Sequence, residues 1–265
     1  MKLEDPDLLL GVHAVEAAMA DYPDRIERVW FAQESTQGRL QTLITVTKRM
    51  GVRFLIVPRA RLDEMTGAGR HQGVVARYQP IPPRHERELE SFLAAIPVPL
   101  VLVLDGVQDP HNLGACLRTA EAAGAHALIV PKANSAPLTA TARRAASGAA
   151  DRVALFQVAN LARVLVQLRK LGVWTVGAAA NGQSLLYDTD FSGPTALVLG
   201  GEQRGLRRLT EEQCDLTVHI PLAGASESLN VSVAAGILLY EAVRQRRQAT
   251  ATPNEVVDLP GGRSD

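Results

Sequence analysis

Leu100-Val-Leu-Val-Leu-Asp-Gly-Val-Gln-Asp-Pro-His-Asn-Leu-Gly-Ala-Cys-Leu-Arg118 opens with an unbroken apolar run that ends in an aspartate. A strand without polar alternation is buried on both faces, which is the condition of strands in a parallel sheet covered on both sides. The polar turn that follows leads into a helix-like segment, and the same alternation continues downstream. Helices are expected over 112–123, 138–146 and 161–171, with strands over 127–130, 153–158, 173–177, 195–199 and 216–220. Strands alternating with helices predict an α/β domain whose mostly parallel sheet carries helices on both faces.

Upstream, helix-like and strand-like stretches also alternate. Helices are expected over 11–20, 39–50 and 62–65, and strands over 26–32, 52–57 and 73–78. This predicts a small α/β domain over 8–78. Residues 79–99 read as a Pro-rich linker, with a short acidic helix expected over 85–95, because prolines lack an N–H donor and favour extended backbone. The larger domain then spans 100–247, and the polar, Pro- and Gly-containing tail over 248–265 is expected to be disordered.

Composition narrows the function classes. The chain has 265 residues and 46% apolar content, enough for a substantial core, but only 4% aromatics, too few for a broad base-stacking platform. Zero formal net charge argues against bulk electrostatic binding of nucleic acid and leaves room for a local basic face. Cys116 and Cys214 lie far apart, so a disulfide scaffold or zinc site is not expected, and a reducing, cytoplasmic setting is. The acidic start is unlike a secretory signal, and no run approaches the ~20 apolar residues that span a bilayer. A membrane role is not expected.

Three segments carry the chemistry, each beginning where a strand ends, which is where open α/β sheets place ligands. In the first, Asn112 reads either as an N-cap or as a site residue. Arg118 sits in a largely apolar segment and requires a partner. Asp105, Glu202 and a substrate phosphate are the candidates. The second is Leu199-Gly-Gly-Glu-Gln-Arg-Gly-Leu206, whose glycines permit close backbone approach. It fails the dinucleotide fingerprint, because Glu202 stands where that motif requires glycine. The third is Ile220-Pro-Leu-Ala-Gly-Ala-Ser-Glu-Ser-Leu-Asn-Val-Ser232, leading into a helix too apolar all round to be fully exposed. That helix is expected to be covered by its own domain or by a second subunit. No histidine has triad or metal-ligand spacing, and no metal is expected.

From 35 to 62 the small domain carries Arg39, Lys48, Arg49, Arg53, Arg59 and Arg61 without an intervening carboxylate. Arg70, His71 and Gln72 follow in a Gly-rich loop. This is the pattern of a phosphate-contacting, RNA-binding face, although the same charges also suit a merely solvated one.

Taken together, Asn112-x-Gly114 with Arg118, Gly200-x-Glu202-x-x-Gly205, and Ile220-Pro-Leu with Ser228-Leu-Asn-Val-Ser232 resemble the SpoU or TrmH-like family of SPOUT RNA ribose 2′-O-methyltransferases. The likeness covers about 100–247. Gly11-Val-His-Ala-Val15 and His71-Gln-Gly-Val-Val-Ala-Arg77 resemble the substrate-binding domain fused to it. The resemblance implies a C-terminal trefoil knot, S-adenosylmethionine as methyl donor and a homodimer formed through the SPOUT domain. It implies backbone contacts to the cofactor from Gly200, Ile220 and Leu229, with Leu222 close by. It also implies a catalytic set of Arg118, Asn112, Glu202, Ser228 and Asn230, the last four holding Arg118 and the ribose. A guanidinium keeps its proton at neutral pH, so Arg118 suits a phosphate clamp and organiser of proton transfer better than a general base. The implied substrate is a guanosine ribose in the peptidyl-transferase region of 23S rRNA. A tRNA ribose methyltransferase or a non-catalytic RNA-binding protein are the alternatives.

Overall fold

The computed structural model describes residues 8–33, 38–67, 71–202 and 204–250. Arg70 and the tail over 251–265 lie outside them, whereas 248–250 complete the last helix.

The first unit runs β1 (Leu8–Leu10), α1 (Val12–Asp21), β2 (Ile26–Ala32), α2 (Arg39–Arg49), β3 (Phe54–Val57), α3 (Arg59–Thr66) and β4 (Val74–Tyr78). Its sheet has the order β1-β4-β2-β3, with β2 and β3 parallel and the other pairings antiparallel. Val15, Met19, Val29, Phe31, Leu43, Val74 and Ala76 fill its core. β1 is too short to show alternation in sequence, and its pairing with β4 is what makes it a strand.

The second unit runs β5 (Arg84–His85), α4 (Leu89–Ala94), β6 (Leu100–Asp105), α5 (Pro110–Ala122), β7 (Ala127–Pro131), α6 (Ala140–Ala146), α7 (Ala149–Arg152), β8 (Ala154–Val158), α8 (Leu161–Lys170), β9 (Trp174–Ala178), β10 (Ser184–Leu185), β11 (Thr195–Gly200), α9 (Arg208–Glu211), β12 (Leu216–His219) and α10 (Val231–Thr250). The sheet order is β10-β12-β9-β11-β6-β7-β8-β5, and every pairing in it is parallel. The period of two along a strand divides β6 between two cores. Leu100, Leu102 and Leu104 pack with α5, α6 and α10, while Val101 and Val103 pack with α4 and α8. Both faces are thus covered by helices. Fully burying each such side chain contributes roughly 1.5–3 kcal/mol.

Part of the stretch read as a linker packs with this larger unit. β5 extends the sheet beside β8, and Leu89 and Leu93 enter the core. The two units also touch directly. Tyr22 Oη donates to the Asp151 carbonyl at 2.8 Å, and Arg152 bridges Asp21 at 2.8 Å and Glu121 at 3.1 Å.

One boundary differs from expectation for a clear reason. α5 begins at Pro110 rather than Asn112, and Asp109 is its N-cap, accepting the His111 amide at 2.8 Å. Proline at the first helical position has no amide to leave unsatisfied and a φ already suited to a helix. The N-cap reading of Asn112 is therefore wrong, and its side chain is left for another purpose.

Candidate active site

Parallel pairing aligns Gly200 of β11 with Asp105 of β6, so the loops after both strands leave the same sheet edge. The loop after β12 joins them there. Glycine makes this convergence possible: a Cβ on Gly201 would run into the Gly106 carbonyl, and one on Gly200 into the backbone of Gly205 and Leu206. Gly201 and Gly205 also pair across their own loop.

Four side chains then form a polar chain across the three loops. Asn112 Nδ2 donates to Glu202 Oε1, and Asn230 Nδ2 donates to Asn112 Oδ1 at 3.0 Å. Asn230 Oδ1 in turn accepts from the Ser232 amide at 2.9 Å and from Ser232 Oγ at 2.6 Å. A carboxylate only accepts, so Glu202 fixes which end of Asn112 faces it, and Asn112 fixes Asn230. Asn230 is thereby an N-cap for α10, its oxygen meeting an orphan amide of the first turn. Three of the residues chosen from sequence, Asn112, Glu202 and Asn230, are thus brought into contact.

Beside this network a cleft is lined by Gly200, Ile220, Leu222, Ser228 and Leu229, with Leu199, Val231 and Ala234 as apolar floor. All four residues expected at a cofactor lie here, and Ser228 lines the cleft rather than joining the asparagine chain. No amide from 222 to 229 donates to another described residue. Glu211 and Glu227 add carboxylates at its edge. Bare glycine backbone, free amide donors, an apolar floor and nearby carboxylates together suit a purine nucleoside that carries a cationic group. The implied S-adenosylmethionine fits this donor set.

Two expectations about Arg118 are corrected. Asp105 is not its partner: the Asp105 carboxylate is buried and taken by Arg207, whose amide donates at 3.0 Å and whose Nε donates at 2.6 Å. Glu202 faces Asn112 instead. Arg118 is exposed on α5, and it makes no hydrogen bond or ion pair with a described residue. Of the three candidate partners, only one from outside the chain remains. Cys116 is buried two residues before it on the same helix. Burial, reinforced by the Glu202 carboxylate, pushes its thiol up to about 12, so it is an inert wall. Among the described residues no cluster of metal-ligating side chains occurs.

The cationic set of the small domain is exposed throughout. Arg39 is engaged by Glu16 and Arg61 pairs with Glu64 at 2.9 Å. Lys48, Arg49, Arg53 and Arg59 have no partner among the described residues. Exposed Leu55 and Ile56 lie between Arg53 and Arg59 on edge strand β3. The sequence reading missed the Asp105–Arg207 clasp, for which the one available signal was an aspartate ending a wholly apolar strand.

Known proteins resemble the chain over both units. Residues 99–240 match the SpoU rRNA Methylase family, and residues 8–84 match the RNA 2'-O ribose methyltransferase substrate binding domain. The chain is 48% identical to the 23S rRNA (guanosine-2'-O-)-methyltransferase RlmB of Shewanella oneidensis, over 92% of this chain and 100% of that protein. It is 46% identical to the RlmB of Escherichia coli K12, over 91% and 99% respectively. Among solved structures, the SpoU methyltransferase AviRb from Streptomyces viridochromogenes in complex with AdoMet superposes with a TM-score of 0.72 at 28% identity, covering 91% of this chain and 90% of that one.

Proposed function

The chain belongs to the SpoU rRNA methylase family, and on that premise we propose that it methylates the ribose 2′-hydroxyl of a guanosine in 23S rRNA, with S-adenosylmethionine as donor. The observation that carries this reading is the joining of Asn112, Glu202 and Asn230 beside a glycine-walled cleft, in a chain whose near relatives share that named activity along their whole length.

Backbone at Gly200, Ile220 and Leu229 would hold the cofactor, with Leu222 close by, and the group would supply an electrophilic methyl on a cationic sulfur. The chain's task is then to present the 2′-oxygen in line and to manage its proton. Arg118 clamps an RNA phosphate, and its guanidinium offsets negative charge developing on the 2′-oxygen. Asn112, Glu202, Asn230 and Ser228 hold the ribose rather than Arg118, since none of them bonds to Arg118 among the described residues. Positioning of this kind supplies much of a two-substrate reaction's barrier reduction.

Arg39, Lys48, Arg49, Arg53, Arg59 and Arg61 form the RNA-binding face of the 8–78 domain. The four whose side chains have no partner among the described residues support that role. We also read the active form as a homodimer through the larger domain, because α10 buries Val231, Ala235 and Leu238 yet leaves Val233 and Tyr240 exposed. A C-terminal trefoil knot belongs to the same reading. It is supported by β12, the last strand in the chain, lying between β9 and β10 rather than at an edge. The cytoplasm, where rRNA is modified, is the corresponding location, and no described helix is long and apolar enough to cross a membrane.

The test is methyl transfer from labelled S-adenosylmethionine to total RNA from a strain lacking its own enzyme, followed by mapping. A single 2′-O-methylguanosine in 23S rRNA is the expected result. Label in tRNA would replace the substrate, and cofactor binding without transfer to any RNA would overturn the enzymatic reading.

A further inference from the structure

Asp105 ends β6, a strand otherwise wholly apolar, with its carboxylate buried. A buried carboxylate costs several kcal/mol unless it is paired and hydrogen-bonded. Its partners are unusual in their placement. The Asp105 carbonyl accepts the amide of Gly201 at 2.9 Å, and its carboxylate accepts the amide of Arg207 at 3.0 Å. Arg207 also brings its guanidinium onto the same carboxylate, Nε at 2.6 Å. One residue of β6 thus holds both ends of the 201–207 loop. Within that loop Gly205 donates its amide to the Gly201 carbonyl at 3.0 Å, pinching it shut. Glu202, the residue that orients Asn112, sits inside the pinch.

We infer that Asp105, through Arg207, is a positioning residue for methyl transfer: it sets the 201–207 loop so that Glu202 meets Asn112 before either substrate arrives. This rests on the proposed function for its consequence in rate, though not for the clasp itself. A loop fixed at one end swings about that end. Fixed at both ends on one rigid strand, it presents Glu202 at a constant height above the sheet. Asp105 touches neither substrate in this scheme and acts only through the loop.

Arg207 is half-exposed, so Arg207→Ala removes the clasp's outer half without opening a core cavity. Asp105→Asn keeps the shape and removes the charge. Both variants, Glu202→Gln, and the Arg207→Ala/Glu202→Gln double variant are compared with the wild type in the full-length protein. Without cofactor or RNA, hydrogen exchange at the amides of Gly201, Gly205 and Arg207 is expected to accelerate in Arg207→Ala and in Asp105→Asn, with the helices α5 and α8 unchanged. With saturating substrates, kcat is expected to fall about 10- to 100-fold at unchanged RNA affinity. The double variant is expected to lose no more than Glu202→Gln alone, because both changes act on one element. Multiplicative losses, or unchanged exchange in the loop, would overturn the inference. A wild-type protein that methylates no RNA would instead defeat the proposed function, and the exchange comparison would still decide whether the clasp holds the loop.

Discussion

Asn230 and Asn112, 118 positions apart, share a hydrogen bond of 3.0 Å in which the Asn230 amide nitrogen donates to the Asn112 oxygen. That bond has one sense only because Glu202 accepts from the other end of Asn112. These two side-chain amides are therefore oriented before any ligand binds, and orientation set in advance need not be created during a reaction.

Asn230→Ala removes two functions at once. The missing cap is expected to lower stability by ~1 kcal/mol. The freed Asn112 is expected to lower kcat far more than that loss of folded protein explains. Thermal denaturation and single-turnover methyl transfer on the same preparation separate the two effects, and parallel losses would contradict the network's role.

Arg118→Ala is expected to abolish transfer while leaving S-adenosylmethionine affinity within about 2-fold, because an exposed side chain with no partner among the described residues contributes little to the fold. Calorimetric titration of the variant with the cofactor provides the check. Equal loss of binding and transfer would remove Arg118 from its assigned place.

Gly201→Ala places a methyl group against the Gly106 carbonyl, where rigid backbone on both sides cannot yield. The expected cost is about 1–3 kcal/mol, as for overpacking elsewhere, with loss of cofactor binding. Gly224→Ala, whose added methyl meets open space, serves as the control for an alanine in the neighbouring loop.

His126 gives a pH signature. Burial holds its imidazole below the ordinary range, and its Nδ1 accepts the Leu100 amide at 3.0 Å, a bond open only to the unprotonated nitrogen. The folded state favours the neutral ring, so the unfolded chain binds more protons. This contribution to stability is complete above the unfolded value of ~6.5 and is lost as pH falls below it towards the depressed folded value. Denaturant midpoints measured from pH 8 to pH 5 are expected to fall less steeply in His126→Asn than in the wild type.

Removing Lys48, Arg53 or Arg59 is expected to weaken RNA binding uniformly across sequences. Each substitution is also expected to reduce the dependence of log affinity on log salt by somewhat under 1 unit for every phosphate that is no longer neutralised. Arg61→Ala, which breaks a local pair with Glu64, is expected to have a smaller effect. Binding isotherms at several salt concentrations distinguish a phosphate-contacting face from a merely solvated one.

The sequence by itself determined the alternation of strands and helices, the double-sided burial of β6 and the three loops that follow strand ends, because each is written in residues a few positions apart. The unbroken apolar run from Leu100 to Leu104, proline and glycine punctuation, and the capping residues of the last helix are local signals. Tertiary structure alone decided which side chains meet. Asn112 with Glu202, Asp105 with Arg207 and Asn230 with Asn112 are separated by 90, 102 and 118 positions, so no spacing rule relates them. Their contacts exist because parallel pairing of β6 with β11 brings distant loops to one edge. Asp105 illustrates the limit most clearly. In sequence it was a candidate partner for Arg118, and nothing nearby in the chain pointed to Arg207. The register that sets Gly200 opposite Asp105 gave it to Arg207 and left Arg118 facing solvent.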